Sequence, residues 1–208
     1  MARSKTSNAW MREHVTDPFV RRATHEGYRS RAAFKLREVI ERDRLVKAGM
    51  VVVDLGAAPG GWSQVVAPLV GPAGQVIALD INDMRPLAGV KFIRGDFSEA
   101  GTLLELEQAL GARSVDLVVS DMAPNISGVA ATDQARAAAL VELALEFALT
   151  HLKPGGSLLV KAFHGAGIDA LRRRIREGFN SVVVRKPKAS RARSSEFFIL
   201  ARQRIGLE

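Results

Sequence analysis

Residues 54–64, D-L-G-A-A-P-G-G-W-S-Q, decide the fold of this 208-residue chain. They follow an apolar run at 50–53 and precede a segment with helical periodicity, so they form a glycine-rich turn between a strand and a helix. Such a turn usually holds a nucleotide, because glycine lets the backbone approach a ligand closely. The G-x-G-x-x-G spacing of a dinucleotide-binding turn is absent, which argues against a pyrophosphate and hence against NAD or FAD.

From residue 50 onward, short β-rich runs alternate with helical stretches. The predicted strands are 50–55, 75–80, 90–93, 115–120, 156–163, 181–184 and 196–201. The predicted helices between them are about 61–70, 98–110, 133–151 and 167–177. This alternation, together with the nearly continuous apolar character of the strands, predicts an α/β fold in which a parallel sheet has helices on both faces.

The N-terminal part of the chain reads differently from the rest. Residues 1–28 are polar and basic with no sustained periodicity, whereas residues 31–42 have the pattern of a helix that Ser30 can cap. We therefore expect a basic N-terminal extension over 1–28 and a single domain over 29–208.

Charge is distributed unevenly along the chain, although the composition is otherwise typical of a globular domain. Residues 1–47 carry 12 basic against 6 acidic side chains, residues 48–170 carry 7 against 13, and residues 171–208 carry 11 against 3. An acidic body between two basic ends favours a polyanionic partner over a membrane, since no segment joins basic residues to a broad apolar face. The alternative is that these residues only solvate the surface.

Several classes of protein and site are disfavoured by composition. The chain has no cysteine, so disulfides and thiolate metal sites are excluded, and its histidines are isolated, so we expect no metal site. The basic N-terminus lacks the apolar core of a signal peptide, and no uncharged apolar run approaches the roughly 20 residues that span a bilayer. We therefore expect a cytoplasmic protein.

Polar residues stand at the end of each of the first five predicted strands: Asp54, Asp80, Asp96, Asp121 and Lys161. The carboxyl ends of parallel strands meet at one edge of the sheet, where ligands bind. A lone aspartate after a strand is most often a turn or capping residue. Several polar residues at the same edge indicate a binding site.

The spacing within this set favours one ligand. Asp80 lies about 20 residues after the glycine turn, where an acidic residue binds ribose hydroxyls. An adenosine without phosphates fits, so we expect S-adenosylmethionine as the cofactor. Asp96 is then placed for the adenine amino group, and Trp62 either contacts the ligand or packs in the core. The candidate cofactor-binding residues are Asp54, Gly56, Pro59, Gly60, Trp62, Asp80, Asp96 and Asp121.

Four motifs resemble one known family, and the likeness spans about residues 25–202. The motifs are D-L-G-A-A-P-G-G-W-S-Q at 54–64, G-D-F at 95–97, D-M-A-P-N-I-S-G at 121–128 and L-L-V-K-A-F at 158–163. They resemble the FtsJ/RrmJ family, the large-subunit ribosomal RNA ribose 2′-O-methyltransferases of the methyltransferase E type. The resemblance implies a Rossmann-like class I SAM-dependent methyltransferase fold, with a seven-stranded, mostly parallel sheet whose last strand is antiparallel.

The resemblance also implies a catalytic tetrad, which here is Lys35, Asp121, Lys161 and Glu196. Methyl transfer from a sulfonium needs a positioned nucleophile and help in removing its proton. Lysine acts as a base only when neutral, so its pKa must fall from about 10.4 toward roughly 7–8. Burial and a second cation favour that fall. We expect Lys161 to be the base and Lys35 the second cation, with both carboxylates orienting the lysine and the ribose.

The family implies 2′-O-methylation of a uridine ribose in 23S rRNA within the 50S subunit, and we expect a monomer. Two alternatives are a relative that acts on tRNA or an mRNA cap, and a non-catalytic, SAM-binding assembly factor. Two basic clusters could form the banks of an RNA groove. They are Arg21, Arg22, Arg29 and Arg31 before Lys35, and Lys186, Lys188, Arg191 and Arg193 before Glu196.

Overall fold

The computed structural model describes residues 16–165, 167–191 and 194–206, which form one seven-stranded sheet and six helices. The strands are β1 (Val51–Leu55), β2 (Gln75–Asp80), β3 (Val90–Arg94), β4 (Val115–Ser120), β5 (Leu152–Phe163), β6 (Phe179–Arg185) and β7 (Glu196–Arg204). The helices are α1 (Pro18–His25), α2 (Ala32–Asp43), α3 (Gly61–Val70), α4 (Ala100–Leu110), α5 (Ala130–His151) and α6 (Ile168–Gly178). No helix of the described residues is long and apolar enough to cross a membrane.

The strand order in the sheet is β3-β2-β1-β4-β5-β7-β6, and β7 runs antiparallel to both of its neighbours. The pairs among β1 to β5 are parallel. The predicted fold class is therefore confirmed. Because Glu196 pairs with Phe163, the first residue of β7 lies beside the last residue of β5. The start of β7 thus joins the edge at which the parallel strands end.

Helices cover the sheet on both faces, as the apolar strands predict. One core forms beneath α4, α5 and α6, with Leu106, Leu145 and Ile175 among its buried side chains. The other forms beneath α2 and α3, where the Trp62 and Phe198 rings lie 5.5 Å apart. Each large apolar side chain buried in this way stabilises the fold by about 1.5–3 kcal/mol.

Helix α1 lies within the predicted extension and was missed by the sequence analysis. Asp17 caps it by accepting a 2.9 Å hydrogen bond from the Phe19 N–H, and proline stands at its first position. Its buried residue Ala23 packs with Phe34 and Ala189. Two turns with one buried side chain do not produce a periodic pattern, although the Asp-Pro pair was a usable start signal.

The expected cap of α2 is wrong. The helix begins at Ala32 with Arg31 in the cap position, and no side chain makes a capping hydrogen bond there. Only the main-chain oxygen of Ser30 takes part, accepting from the Ala33 N–H at 3.2 Å. The Ser30 hydroxyl instead lies against Gly61, where an added Cβ would come within 2.4 Å of it. The start of α2 therefore packs tightly on the start of α3.

Candidate active site

A cavity of about 590 Å³ opens at the carboxyl edge of the sheet, between the loops that follow β1 to β4 and the side of α5. Of the predicted cofactor-binding residues, Gly56, Asp80, Asp96 and Asp121 line it. Apolar side chains, among them Leu79 and Phe97, form the rest of its wall. Carboxylates next to apolar walls suit a ligand that has both hydroxyl or amino groups and a flat apolar part.

Asp80 is held in place at the end of β2 by two neighbouring segments. Its Oδ2 accepts a hydrogen bond from the Ala58 N–H at 2.9 Å, which ties it to the glycine turn. Its Oδ1 accepts from the Asn82 N–H at 2.8 Å and from the Asn82 side-chain amide at 3.0 Å. Asn82 also lines the cavity, although its sequence context did not predict a site residue. This carboxylate is therefore pre-positioned on the cavity wall.

Asp96 follows β3, is exposed and also lines the cavity. Its Oδ1 accepts hydrogen bonds from the Ser98 hydroxyl at 2.7 Å and the Ser98 N–H at 2.9 Å. These bonds hold the pKa of Asp96 below its usual range. The carboxylate is thus ionised near neutral pH and can accept hydrogen bonds from a ligand.

Gly56 allows the turns after β1 and β4 to meet. Its φ angle is +76°, a conformation that favours glycine, and an added Cβ would lie 2.9 Å from the main chain of Met122. A side chain at position 56 would push the two loops apart. Glycine is therefore required here for the shape of the cavity wall.

Four predicted cofactor residues, Asp54, Pro59, Gly60 and Trp62, are not among those that line the cavity. Trp62 is buried in the core beneath α2, where its Nε1–H donates to the Ala32 carbonyl at 2.8 Å. Of the two readings left open for this ring, the structure favours core packing. Of the other three, Asp54 is buried, Pro59 is exposed and Gly60 is the N-cap residue of α3.

Asp54 is a buried carboxylate directly under the glycine turn. Its Oδ2 accepts from the Ser63 hydroxyl at 2.6 Å, and its Oδ1 has no hydrogen-bond partner among the described residues. Burial raises the pKa of Asp54 to about 7, and the charges of Asp121 and Asp80 act in the same direction, against the Ser63 hydrogen bond. The fold thus carries a carboxyl group that is close to half-protonated at neutral pH.

Asp121 and Lys161 form an ion pair that borders the cavity. Lys161 Nζ lies 3.0 Å from Asp121 Oδ1 and donates its hydrogen bond to the main-chain carbonyl of the same aspartate. The Lys161 side chain is only 8% exposed, so its amine is nearly removed from water. Since Asp121 also lines the cavity, this pair connects the cavity to the end of β5.

Lys35 and Glu196 form a second ion pair of 2.7 Å, with side-chain exposures of 11% and 12%. Lys35 comes from α2, and its Nζ also lies 5.8 Å from the centre of the Phe198 ring. Burial alone would raise the pKa of Glu196, but the charge and hydrogen bond of Lys35, with smaller contributions from Ser190 and then Lys161, outweigh it and lower that pKa. The charges of both lysines therefore stabilise the ionised form of the Glu196 carboxylate.

Strand register places one member of each ion pair, Lys161 and Glu196, on the same face of the sheet. In the β5–β7 ladder Lys161 is opposite Phe198, and Glu196 is opposite Phe163. Because side chains alternate between the two faces of a strand, Lys161 and Glu196 share the face on which Phe198 packs beneath α2. The structure therefore brings together Lys35, Asp121, Lys161 and Glu196, the four residues of the implied tetrad.

Several residues of the two basic clusters hold the protein together. Arg29 donates to the carbonyls of Pro59 at 3.2 Å, Arg85 at 2.6 Å and Pro86 at 2.7 Å, clamping the glycine turn to the loop after β2. Arg31 pairs with Asp17 and donates to the Ala189 carbonyl. Arg193 lies outside the described residues.

Lys186, in the second basic cluster, is also used internally. Its Nζ donates to the Ser194 carbonyl at 2.7 Å and to the main-chain oxygen of Glu196. It therefore supports the start of β7, on which Glu196 stands. Residue patterns alone do not distinguish such structural cations from cations that bind a ligand, because the acceptors are main-chain oxygens that the pattern does not identify.

Comparison with known proteins identifies the relatives of this chain. The sequence model of the family described as FtsJ-like methyltransferase matches residues 28–204. A relative from Azoarcus sp. is 60% identical over 96% of this chain and 98% of its own, and one from Methylobacillus flagellatus is 57% identical over 98% and 99%. Both carry the name ribosomal RNA large subunit methyltransferase E.

A solved structure from Plasmodium falciparum, assigned as a ribosomal RNA methyltransferase, is also similar. It superimposes with a TM-score of 0.77 at 25% identity, over 86% of this chain and 100% of that one. Because the family's sequence model spans most of the chain and the relatives are more than half identical over nearly its full length, the chain belongs to the FtsJ-like methyltransferase family.

Proposed function

We propose that this chain uses S-adenosylmethionine to methylate the ribose 2′-hydroxyl of a uridine in 23S rRNA, acting as a cytoplasmic monomer on the 50S subunit. The names of its relatives support large-subunit rRNA as the substrate. The observation that carries the proposal is the position of Asp121, which lines the cavity and also pairs with the buried Lys161. A methyl donor in the cavity would thus lie next to a buried amine.

The residues of the cavity fit the proposed cofactor. Asp80, fixed by the Ala58 N–H and by Asn82, would accept hydrogen bonds from the ribose hydroxyls. Asp96 would accept from the adenine amino group, and Leu79 and Phe97 offer apolar surface to the ring. When bound, S-adenosylmethionine supplies an activated methyl group on a sulfonium.

The two ion pairs would take part in removing the proton of the ribose 2′-hydroxyl. Lys161 Nζ, in its neutral form, would accept the proton that the ribose 2′-hydroxyl loses when it is methylated. Asp121 holds that amine, and Glu196 holds Lys35 beside it. Positioning contributes further, since both reactants would be held at one sheet edge.

Transfer of tritiated methyl groups to 50S subunits, free rRNA and tRNA tests the proposal. We expect label in 50S subunits, mapping to a 2′-O-methyluridine of 23S rRNA. Label in tRNA alone would assign the chain to a tRNA-modifying relative. No transfer to any of the three, with RNA and S-adenosylmethionine still bound, would identify a non-catalytic assembly factor.

A further inference from the structure

Ile126, in the loop that follows β4, is the most exposed large apolar side chain of the described residues, at 85%. The loop comprises residues 122–129, and Val129 at its end is 58% exposed. An isoleucine in contact with water forgoes the stabilisation that burial would provide. Since no described part of the chain covers it, the loop presents an apolar group outward.

Hydrogen bonds to Asp133 fix the conformation of the loop next to Ile126, so the exposure of this side chain is a feature of the fold. Asp133, in the first turn of α5, accepts hydrogen bonds from the Ser127 N–H at 2.8 Å, the Ser127 hydroxyl at 2.7 Å and the Gly128 N–H at 3.1 Å. Three bonds to one carboxylate fix the residues that directly follow Ile126. The side chain is thus presented by a supported turn.

The position of the loop beside the cavity suggests which part of a substrate it contacts. Its first part, Met122–Asn125, lines the cavity, and it follows Asp121 directly. Arg136, an exposed residue of α5, lines the same side of the cavity. This rim therefore offers an apolar group and a cation together, which is the combination that a nucleotide requires for its base and its phosphate.

We propose that Ile126 packs against the nucleobase adjacent to the target nucleotide of the RNA substrate. The inference rests on the proposed function. Separating the target nucleotide from its stacked neighbours would open its 2′-hydroxyl to the site, and proteins that unstack bases insert apolar side chains such as isoleucine and leucine. Ile126 takes that place on the rim, while Arg136 attracts the adjoining phosphate.

Steady-state methyl transfer to 50S subunits or rRNA, with Ile126→Ser, Ile126→Leu and Leu104→Ser, tests the contact. Leu104 is a matched control, because it is 54% exposed on α4 and is not among the residues that line the cavity. We expect Ile126→Ser to raise the KM for RNA about tenfold, the effect of losing one apolar contact of this size. We expect unchanged S-adenosylmethionine affinity, and wild-type behaviour from the other two variants.

Two results would overturn the proposal: an RNA KM for Ile126→Ser within twofold of that for Leu104→Ser, or an equal loss of S-adenosylmethionine affinity, which would place the loop in the donor site. If the wild-type chain methylates no large-subunit RNA, the proposed function fails by itself. The contact is then judged by equilibrium binding of 23S rRNA fragments, where equal affinity of wild type and Ile126→Ser overturns it.

Discussion

The two halves of the sheet arrange their charged side chains differently at the same edge. On the side of β1 to β3 the strands end in carboxylates, with Asp80 and Asp96 on the cavity wall. On the side of β5 and β7 the edge carries Lys161 and, from α2, Lys35. Asp121, at the end of β4, stands on the boundary and belongs to both. One half of this edge thus offers carboxylates to a ligand in the cavity, whereas the other holds buried lysines that are each paired with a carboxylate.

The two halves also differ in what holds their charged groups. The carboxylates of the cavity half accept most of their hydrogen bonds from residues two positions away, as in Asp80 and Asp96. The lysines of the other half are fixed by carboxylates from elsewhere in the chain. Contacts close in sequence therefore contribute more to the cavity half, although Asp80 also depends on Ala58 of the glycine turn.

The largest expected effect is on the lysine half. Lys161→Ala should lower the rate of methyl transfer by about 10²–10⁴-fold, the usual contribution of a positioned base, without changing affinity for S-adenosylmethionine. Single-turnover transfer and equilibrium dialysis measure the two quantities. Lys153→Ala is the matched control, since Lys153 is also on β5 and pairs with Asp116 at the other end of the strand. Full activity in Lys161→Ala would exclude this lysine as the base.

The next effect concerns Asp54, which lies beneath the cavity half. Its pKa is about 7 in the folded protein against an ordinary 3.8, so between these values the folded state binds the proton that the unfolded state releases. The stability contributed by this group should therefore fall as pH rises from about 4 to about 7, and stay level above that.

Asp54→Asn removes this pH dependence. Its unfolding free energy, relative to wild type, should rise by about 1.4 kcal/mol per pH unit between pH 5 and 7. Urea unfolding without ligand at several pH values measures the difference. Asp96→Asn should show no such slope, because the pKa of Asp96 is lowered and the group is ionised throughout this range. A flat difference for Asp54→Asn would show that Asp54 ionises normally.

A smaller effect is expected at the cavity wall. Asp80→Asn keeps an acceptor for the Ala58 N–H but loses the charge that strengthens hydrogen bonds to hydroxyls, so S-adenosylmethionine affinity should fall about tenfold. Equilibrium dialysis checks this. Asp83→Asn, an exposed neighbour in the next loop, should bind normally. Equal affinity in both variants would remove Asp80 from the donor site.

The smallest expected effect is at Arg29, which joins the segment before α2 to the glycine turn and the loop after β2. Arg29→Gln removes hydrogen bonds that join the glycine turn to the loop after β2, so the KM for S-adenosylmethionine should rise about fivefold, with kcat little changed. The control is Arg85→Gln, because Arg85 contributes only its carbonyl to this clamp. Matching KM values would show that the clamp does not shape the cavity.

Much of the cavity half was predictable from sequence because its chemistry is local. The glycine turn, the strand ends and the spacing to Asp80 all lie within short segments. The tetrad was different, since residue patterns alone did not select Lys35 or Glu196, and the family resemblance supplied them. Helix α1 was missed because it is short and buries one side chain. The clamp by Arg29 was missed, and the core position of Trp62 was left undecided, because their partners are remote in sequence.

The amino-acid sequence by itself determined the alternation of strands and helices, the glycine turn and the charged residues that end the strands. The family resemblance implied an antiparallel last strand, but only the tertiary structure decided that β7 lies between β5 and β6 and that Glu196 meets Lys35 at the edge occupied by Lys161. The physical reason is that periodicity and turn chemistry act over a few residues, whereas strand pairing and burial depend on segments that meet only in the folded chain.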